Sequence, residues 1–442
     1  MTTQPSQHQP FSPTSHQQND TMYPLDDLVT MPVQQEQEEL EFHLIDGLDQ
    51  SFSRLHVMDN PPTEDLREED VEKITASEMN QLSMESREQI LYDLHGISEK
   101  MPKETPELLH SRLADLQKAL DLIPDSDKEA YSLAAMMNPS YVANEKFRLK
   151  FLRADLFDAQ QAAVRFTKHF QAKLELFGSE LLAKDITQDD LESLGDKSLE
   201  CLYSGWFQEL PIRDISGRLI SVLVQKSRDP SWTADEKCRA LFYRRMINSE
   251  EIETQLHGIV NIIFNSEQEF DRTTTWKASR LVSCLPSRFV GFHTCFLKEY
   301  FDETQGDTLS LGRLAMESMQ RHRSRTHSGS IAELKYTLQT FGIPVSVLPI
   351  DDGGVVCCRY NRDFFEKQRI VERRAASTPQ HLTSASPPNE VSDHDDSELS
   401  HQLPDQQASS SQPAQQQEVR ITTPGNQDVL MGRGRSCQEH AG

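Results

Sequence analysis

Phe147–Gly178, FRLKFLRADLFDAQQAAVRFTKHFQAKLELFG, decides how the rest of the chain is read. It spells two amphipathic helices joined by one turn. In the first, Phe147, Phe151 and Leu152 share a face, and Arg148, Lys150 and Arg153 are left for solvent. Asp158 is placed to cap the second, in which Ala162, Phe166, Phe170, Leu174 and Phe177 recur at helical spacing before Gly178 stops it. Periodicity alone fits any helical hairpin that buries its apolar stripes.

Upstream, Ser83 caps a helix that ends at His95-Gly96. Thr105-Pro106 starts another, whose Leu109, Leu113, Leu116, Leu120 and Ile123 form a stripe closed by Pro124. A third helix runs from about Ser126 to Met137 and stops before Asn138-Pro139. These stripes need a partner surface, and the expected one is the hairpin, giving an extended N-terminal helical lobe; a short self-associating coiled coil is the alternative. Beyond Ile186, strand and helix patterns alternate, which predicts a mixed sheet flanked by helices. The fold class expected is therefore α/β: a helical lobe packed on a mixed-sheet domain.

FLRA, then a turn, F-D and A-A resembles the helical entrance of the CRAL-TRIO family of lipid carriers, and the resemblance continues in order downstream. Asp214-Ile215-Ser216-Gly217-Arg218 before LISVLV is similar to the D-x-x-G-R turn into that family's first lipid-domain strand. His257-Gly258 before IVNIIF stands where the family has an interior strand. Leu285-Pro286-Ser287-Arg288 before FVGFHTCF takes the place of its Tyr-Pro-x-Arg turn. Phe341-Gly342-Ile343-Pro344, Leu348-Pro349 and Gly353-Gly354 resemble its closing region. The likeness covers roughly Tyr131 to Asn361, and it implies a non-catalytic binder, with an apolar pocket on the sheet and a mobile amphipathic helix over its mouth.

Composition sets the limits of the folded part. Of 442 residues 36% are hydrophobic, and the mean hydropathy of -0.61 is too polar for a chain folded throughout. The divisions expected are an acidic, Gln-rich disordered arm over 1–66, the helical lobe over 67–185, a CRAL-TRIO-like domain over 186–374 and a disordered tail over 375–442. The net charge of -25 argues against general nucleic-acid binding. Acids dominate from Asp20 to Glu104, whereas bases are in modest excess from Arg272 to Leu348. The acidic segment is either a solvated arm or one that folds over the basic core.

The expected partner is a lipid or other hydrophobic small molecule. Thr308–Gln320, with Leu309, Leu311, Leu314, Ala315, Met316 and Met319 on one side, reads as a gate for its pocket or as a plain core helix. The candidate pocket and gate residues are Phe289, Phe292, Leu311, Leu314 and Met319. Phe289, Phe292 and Phe296 also suit a filled, ligand-free core, which makes an interaction scaffold the alternative function. Read as a strand, Arg321-His322-Arg323-Ser324-Arg325-Thr326-His327 places Arg321, Arg323, Arg325 and His327 on one face, a stripe suited to holding an anion or to balancing nearby acids.

No G-x-S-x-G elbow, P-loop, H-E-x-x-H or kinase set occurs, so no catalytic residue and no cofactor is predicted. Seven cysteines without C-x-x-C spacing point to a reducing compartment. His293 and Cys295 share a strand face, but two ligands do not make a zinc site. With no apolar run of spanning length, a cytoplasmic protein touching membranes only peripherally is expected. At the C-terminus, Asn426-Gln427-Asp428-Val429-Leu430-Met431-Gly432-Arg433-Gly434-Arg435 resembles the opening of the N-D-V-L-x-G-R-G module found in many diatom proteins. It carries an inserted Gln427, and the chain stops where the module would continue, which suggests truncation or a divergent remnant.

Overall fold

The computed structural model describes residues 58–61, 68–97, 101–224, 229–265, 271–297, 303–344, 346, 348–349 and 359–377. The diatom-like motif, Cys357, Cys358, Gly353 and Gly354 lie outside them.

Two helices open the described chain, α1 (Glu68–Gln81) and α2 (Met84–His95). Ser83 caps α2 by accepting from the Ser86 amide, and Gly96 closes it in the left-handed conformation. The helical lobe follows: α3 (Pro106–Leu122), α4 (Glu129–Met137), α5 (Pro139–Val142), α6 (Glu145–Ala154) and α7 (Ala159–Phe177). Its core is aromatic. Phe151, Phe166 and Phe170 are fully buried, and Phe147, Tyr131 and Tyr141 meet them mostly edge-on at ring distances of 5.3–6.5 Å. The turn between α6 and α7 holds Leu156 and Phe157 at positive φ, 53° and 65°. Arg165 steadies it by donating from Nε and Nη2 to the Asp155 carboxylate at 2.8 and 2.7 Å.

After α8 (Gln188–Ser193) and α9 (Ser198–Tyr203) come β1 (Phe207–Arg213), β2 (Leu219–Val224), α10 (Ala234–Asn248), α11 (Ile252–His257), β3 (Ile259–Asn265), α12 (Arg272–Val282), β4 (Phe289–Leu297), α13 (Glu303–Ala315), α14 (Ser318–Arg321), β5 (Ser324–Gly329), α15 (Ile331–Gln339) and α16 (Arg359–Ser377). Among the described residues the strands form one sheet in the order β1-β2-β3-β4-β5. β1 and β2 are antiparallel, and β2 to β5 run parallel. The D-x-x-G-R turn therefore joins β1 to β2 instead of opening the first strand. Asp214 shapes that turn, accepting from the Ser216 and Arg218 amides at 2.9 Å.

Parallel strands added in one direction by right-handed crossovers place every crossover helix on the same face. α10, α12 and α13 accordingly stand side by side over one face, where Leu219, Ile259, Phe289 and Phe292 share a core with Leu241, Phe242, Leu281 and Val282. The other face carries Ile220, Val222, Val260, Ile262 and Val290 against Leu334, Leu338 and Ile343 of α15 and its exit.

Several placements differ from the sequence-based expectation. α1 and α2 do not join the helical lobe: α1 packs on α13, and α2 packs on β4. Their acids meet arginines there, which apolar periodicity does not register. Lys150 and Arg153 do not face solvent but are buried where the hairpin docks on the sheet domain. Lys150 pairs with Glu250, and Arg153 pairs with Glu104 at 2.7 Å. Met58, inside the segment expected to be disordered, rests on the main core, and α16 runs three residues past the expected boundary, to Ser377.

Gly258 connects α11 to β3 with φ +80°, and a Cβ there would stand 2.7 Å from the Arg288 carbonyl oxygen. Gly258→Ala should cost about 1–3 kcal/mol in backbone strain alone, with the steric contact adding to it. Urea denaturation of the two proteins measures the loss.

Candidate functional site

The site begins at the C-terminal end of α10. Thr233 and Glu236 form a capping box that fixes where this helix starts. It is buried almost all round, so its Arg244-Arg245 pair cannot reach solvent: their exposures are 2% and 1%. Glu209 of β1 pairs with both. Arg244 Nη1 donates to Glu209 Oε2, while Arg245 Nη1 stands 3.5 Å from Glu209 Oε1. Asn248 also donates to Glu209, at 2.7 Å.

Arg245 spans the middle of the sheet. Its Nη2 donates to Asn261 Oδ1 of β3 at 2.6 Å and to Ser221 Oγ of β2 at 3.0 Å. Its guanidinium lies 4.6 Å from the Phe207 ring centre and 5.1 Å from that of Phe289. Its Nε and Nη1 have no hydrogen-bond acceptor. Burial pulls its pKa down to about 10, against the favourable influence of Glu209.

Arg245 lines a cavity of about 110 Å³ between the sheet and α10, α12 and α13. Trp206, Phe207, Leu241, Val282, Leu285 and Phe292 make its walls largely apolar. Leu309, Gly312 and Arg313 come from one face of α13, and Met316 follows directly after it. Trp206, Phe207 and Arg245 are buried whereas Thr326 of β5 is exposed, so the cavity runs inward from the β5 edge.

The expected pocket residues meet this cavity unevenly. Phe292 lines it, and Phe289 stacks behind Phe292 at 5.6 Å. Leu311 is buried, and Leu314 and Met319 are half-buried, but none of the three lines the cavity. The expected gate helix is also broken: α13 ends at Ala315 and Met319 belongs to α14. Gly312 brings α13 close to α12, since a Cβ there would stand 2.7 Å from Thr275 Cγ2.

The expected cationic stripe is divided between different elements. Arg321 belongs to α14, and Arg323 precedes β5; Arg325 and His327 alone lie on that strand. Arg321 Nη1 donates to Glu78 of α1 at 2.6 Å, and its other nitrogens donate to the Arg313, Leu314 and Met316 carbonyls. Arg323 pairs with Asp93 of α2 at 2.6 Å, and Arg288 reaches the same carboxylate at 3.2 Å. Arg325 lines the cavity and donates to the His322 and Ser324 carbonyls. His327 stacks on His293 and shares a hydrogen bond with it at 3.0 Å. Arg313 is drawn to Glu72, so acids of α1 and α2 cover most of this basic region.

Cys201, Cys238, Cys284 and Cys295 are buried free thiols, and burial pushes the pKa of each upward. Among the described residues no cluster of three or more metal-ligating side chains occurs, and no helix is long and apolar enough to cross a membrane.

Arg245 itself escaped the sequence reading. The available signal was the doublet within ALFYRRMIN, where an arginine pair interrupts a helix that has no continuous polar face to carry it. No family model matches the sequence, and no curated protein matches it significantly.

His169 and His293 are buried in separate parts of the core, His169 stacked on Phe242 and His293 packed on His327 and Phe341. Burial lowers each pKa to about 3, with Lys173 adding to the effect at His169 and His327 adding at His293. Both are neutral when folded and titrate near 6.5 when unfolded. Stability should be complete above pH about 6.5 and fall as pH drops toward 3, by up to about 1.4 kcal/mol per pH unit for each histidine. His169→Phe, among Phe147, Phe151 and Phe242, should flatten that slope in denaturation curves measured between pH 7 and 4.

Proposed function

We propose that the chain binds a hydrophobic small molecule or lipid without transforming it, after the manner of the CRAL-TRIO carriers that its sequence resembles. The observation that carries this reading is the apolar cavity between the sheet and α10, α12 and α13. Its enclosure by apolar side chains between the sheet face and three helices suits capture of an apolar ligand. In this reading α13 is the gate. α1 is its latch, holding Arg313 through Glu72 and Thr75, and holding the following turn through Glu78 and Arg321. Releasing α1 frees α13 to swing outward and bares Arg313 and Arg321 toward an anionic membrane surface, where peripheral contact would load or unload the ligand. A cytoplasmic location belongs to the same reading, supported by the unpaired buried thiols.

A second reading, an interaction scaffold on a filled core, is favoured by size. The cavity of about 110 Å³ is smaller than the roughly 300–1,000 Å³ of common ligand pockets. Stacked Phe289 and Phe292 occupy part of the space beside it.

Native mass spectrometry of the full chain separates the two. A carrier retains a stoichiometric apolar adduct or acquires one from liposomes, and Ala278→Phe, which fills the cavity from α12, abolishes it while the thermal unfolding transition stays cooperative. A chain that remains empty after incubation with liposomes is a scaffold.

A further inference from the structure

Arg245 gives the cavity a chemical preference that apolar walls alone do not explain. Around it, two buried guanidiniums face one carboxylate: Arg244 and Arg245 share Glu209, which also accepts from Asn248. Arg244 has its own complement, with Glu209 on Nη1 and Asn361 Oδ1 on Nη2. Arg245 does not. Its Nη1 contact with Glu209, at 3.5 Å, is too long for a good hydrogen bond, and its Nε has no acceptor. A buried, incompletely paired guanidinium is costly, and this one borders open space.

The same count of two arginines to one carboxylate recurs at Asp93 with Arg288 and Arg323. There the open space is only about 10 Å³. The neighbouring Arg218 is held by Asp214 and by the Asp93 and Leu94 carbonyls at the end of α2. Nothing larger than about one water fits beside Asp93. At Arg245 the space is about 110 Å³, approaching that of a cavity that takes a small aromatic ring.

We propose that the cavity selects an aliphatic monocarboxylate, whose carboxylate accepts from the open N–H groups of Arg245 and whose chain lies along Phe207, Leu241, Val282 and Phe292 toward the β5 edge. The proposal rests on the reading of the cavity as a ligand pocket and adds the identity of the head group. One negative charge matches the one guanidinium in excess within the Arg244, Arg245 and Glu209 group. A phosphate monoester would bring up to two charges and a bulkier head beside Arg245. A neutral alcohol would leave the excess charge unpaired. Short chains fit the cavity as it stands, and long ones require α13 to move.

Titration calorimetry on the full chain tests this with hexanoate and dodecanoate against hexanol and dodecanol. Each carboxylate should bind about tenfold or more tightly than its matched alcohol, as expected for a charge-assisted hydrogen bond. Arg245→Met should remove that advantage while alcohol binding persists, and Arg245→Lys should retain part of it. Equal binding of acid and alcohol by the wild-type chain overturns the assignment to Arg245 and leaves the apolar pocket standing. If neither acids nor alcohols bind, the pocket reading fails together with the head-group assignment. Because the acid–alcohol comparison needs no variant, it decides the matter even where Arg245→Met does not fold.

Discussion

A guanidinium removed from water must find acceptors inside the fold, and much of this structure is arranged around that requirement. The chain is strongly acidic, yet several of its arginines lie inside. Asp155 takes Arg165, Glu104 takes Arg153, Asp214 takes Arg218, Asp93 takes Arg288 and Arg323, and Glu209 takes Arg244. Asp155–Arg165 and Asp214–Arg218 fix local turns, whereas the other pairs join segments distant in sequence and so help decide which surfaces meet. Apolar burial supplies most of the stabilisation and has no direction. The ion pairs add direction, because removing either partner strands the other in a medium that solvates it poorly.

The strongest instance is the placement of α1 and α2. Their apolar residues would pack on any greasy surface, including the helical lobe. Asp93 instead draws α2 onto β4 and the turn before it, where Arg288 and Arg323 wait, while Glu72 and Glu78 draw α1 across Arg313 and Arg321. Within the described residues, α1 and α2 of the acidic segment thus lie over the basic part of the core. One physical outcome is a covered basic patch. Another is a helix, α13, held between α1 on one side and the cavity on the other.

How far the sequence revealed this follows from which signals are local. The hairpin from Phe147 to Gly178, the caps Ser83, Thr105 and Asp158, and the strands LISVLV, IVNIIF and FVGFHTCF all declare themselves within a few residues, through period or capping chemistry. β1 did not, because FQELPIR mixes a proline and two charges into a strand that lies at the sheet edge. The reading of Arg321 to His327 as one strand failed for a related reason: alternation of basic residues is also compatible with the last turn of a helix entering a shorter strand. Lys150 and Arg153 were assigned to solvent because charge is ordinarily exposed. Their burial depends on Glu250, Gln255 and Glu104, about 50 to 100 residues away, and no local pattern encodes such partners.

The same reasoning separates the two buried arginine pairs by what surrounds them. At Asp93 the chain closes around the charge, bringing backbone carbonyls and side chains until about 10 Å³ remains. At Arg245 it does not, although α10, β2 and β3 are close enough to bring Ser221 and Asn261 to a single nitrogen. A methionine or leucine at this position would fill part of the cavity and relieve the charge, and such exchanges of buried ionic groups for apolar ones are often neutral or stabilising. Stability alone therefore gives little reason for a guanidinium here. Its place at the inner end of an apolar channel, with two nitrogens lacking hydrogen-bond acceptors, is better matched to recognition than to folding, because there the cost of the incomplete pairing is recovered only when an anion arrives.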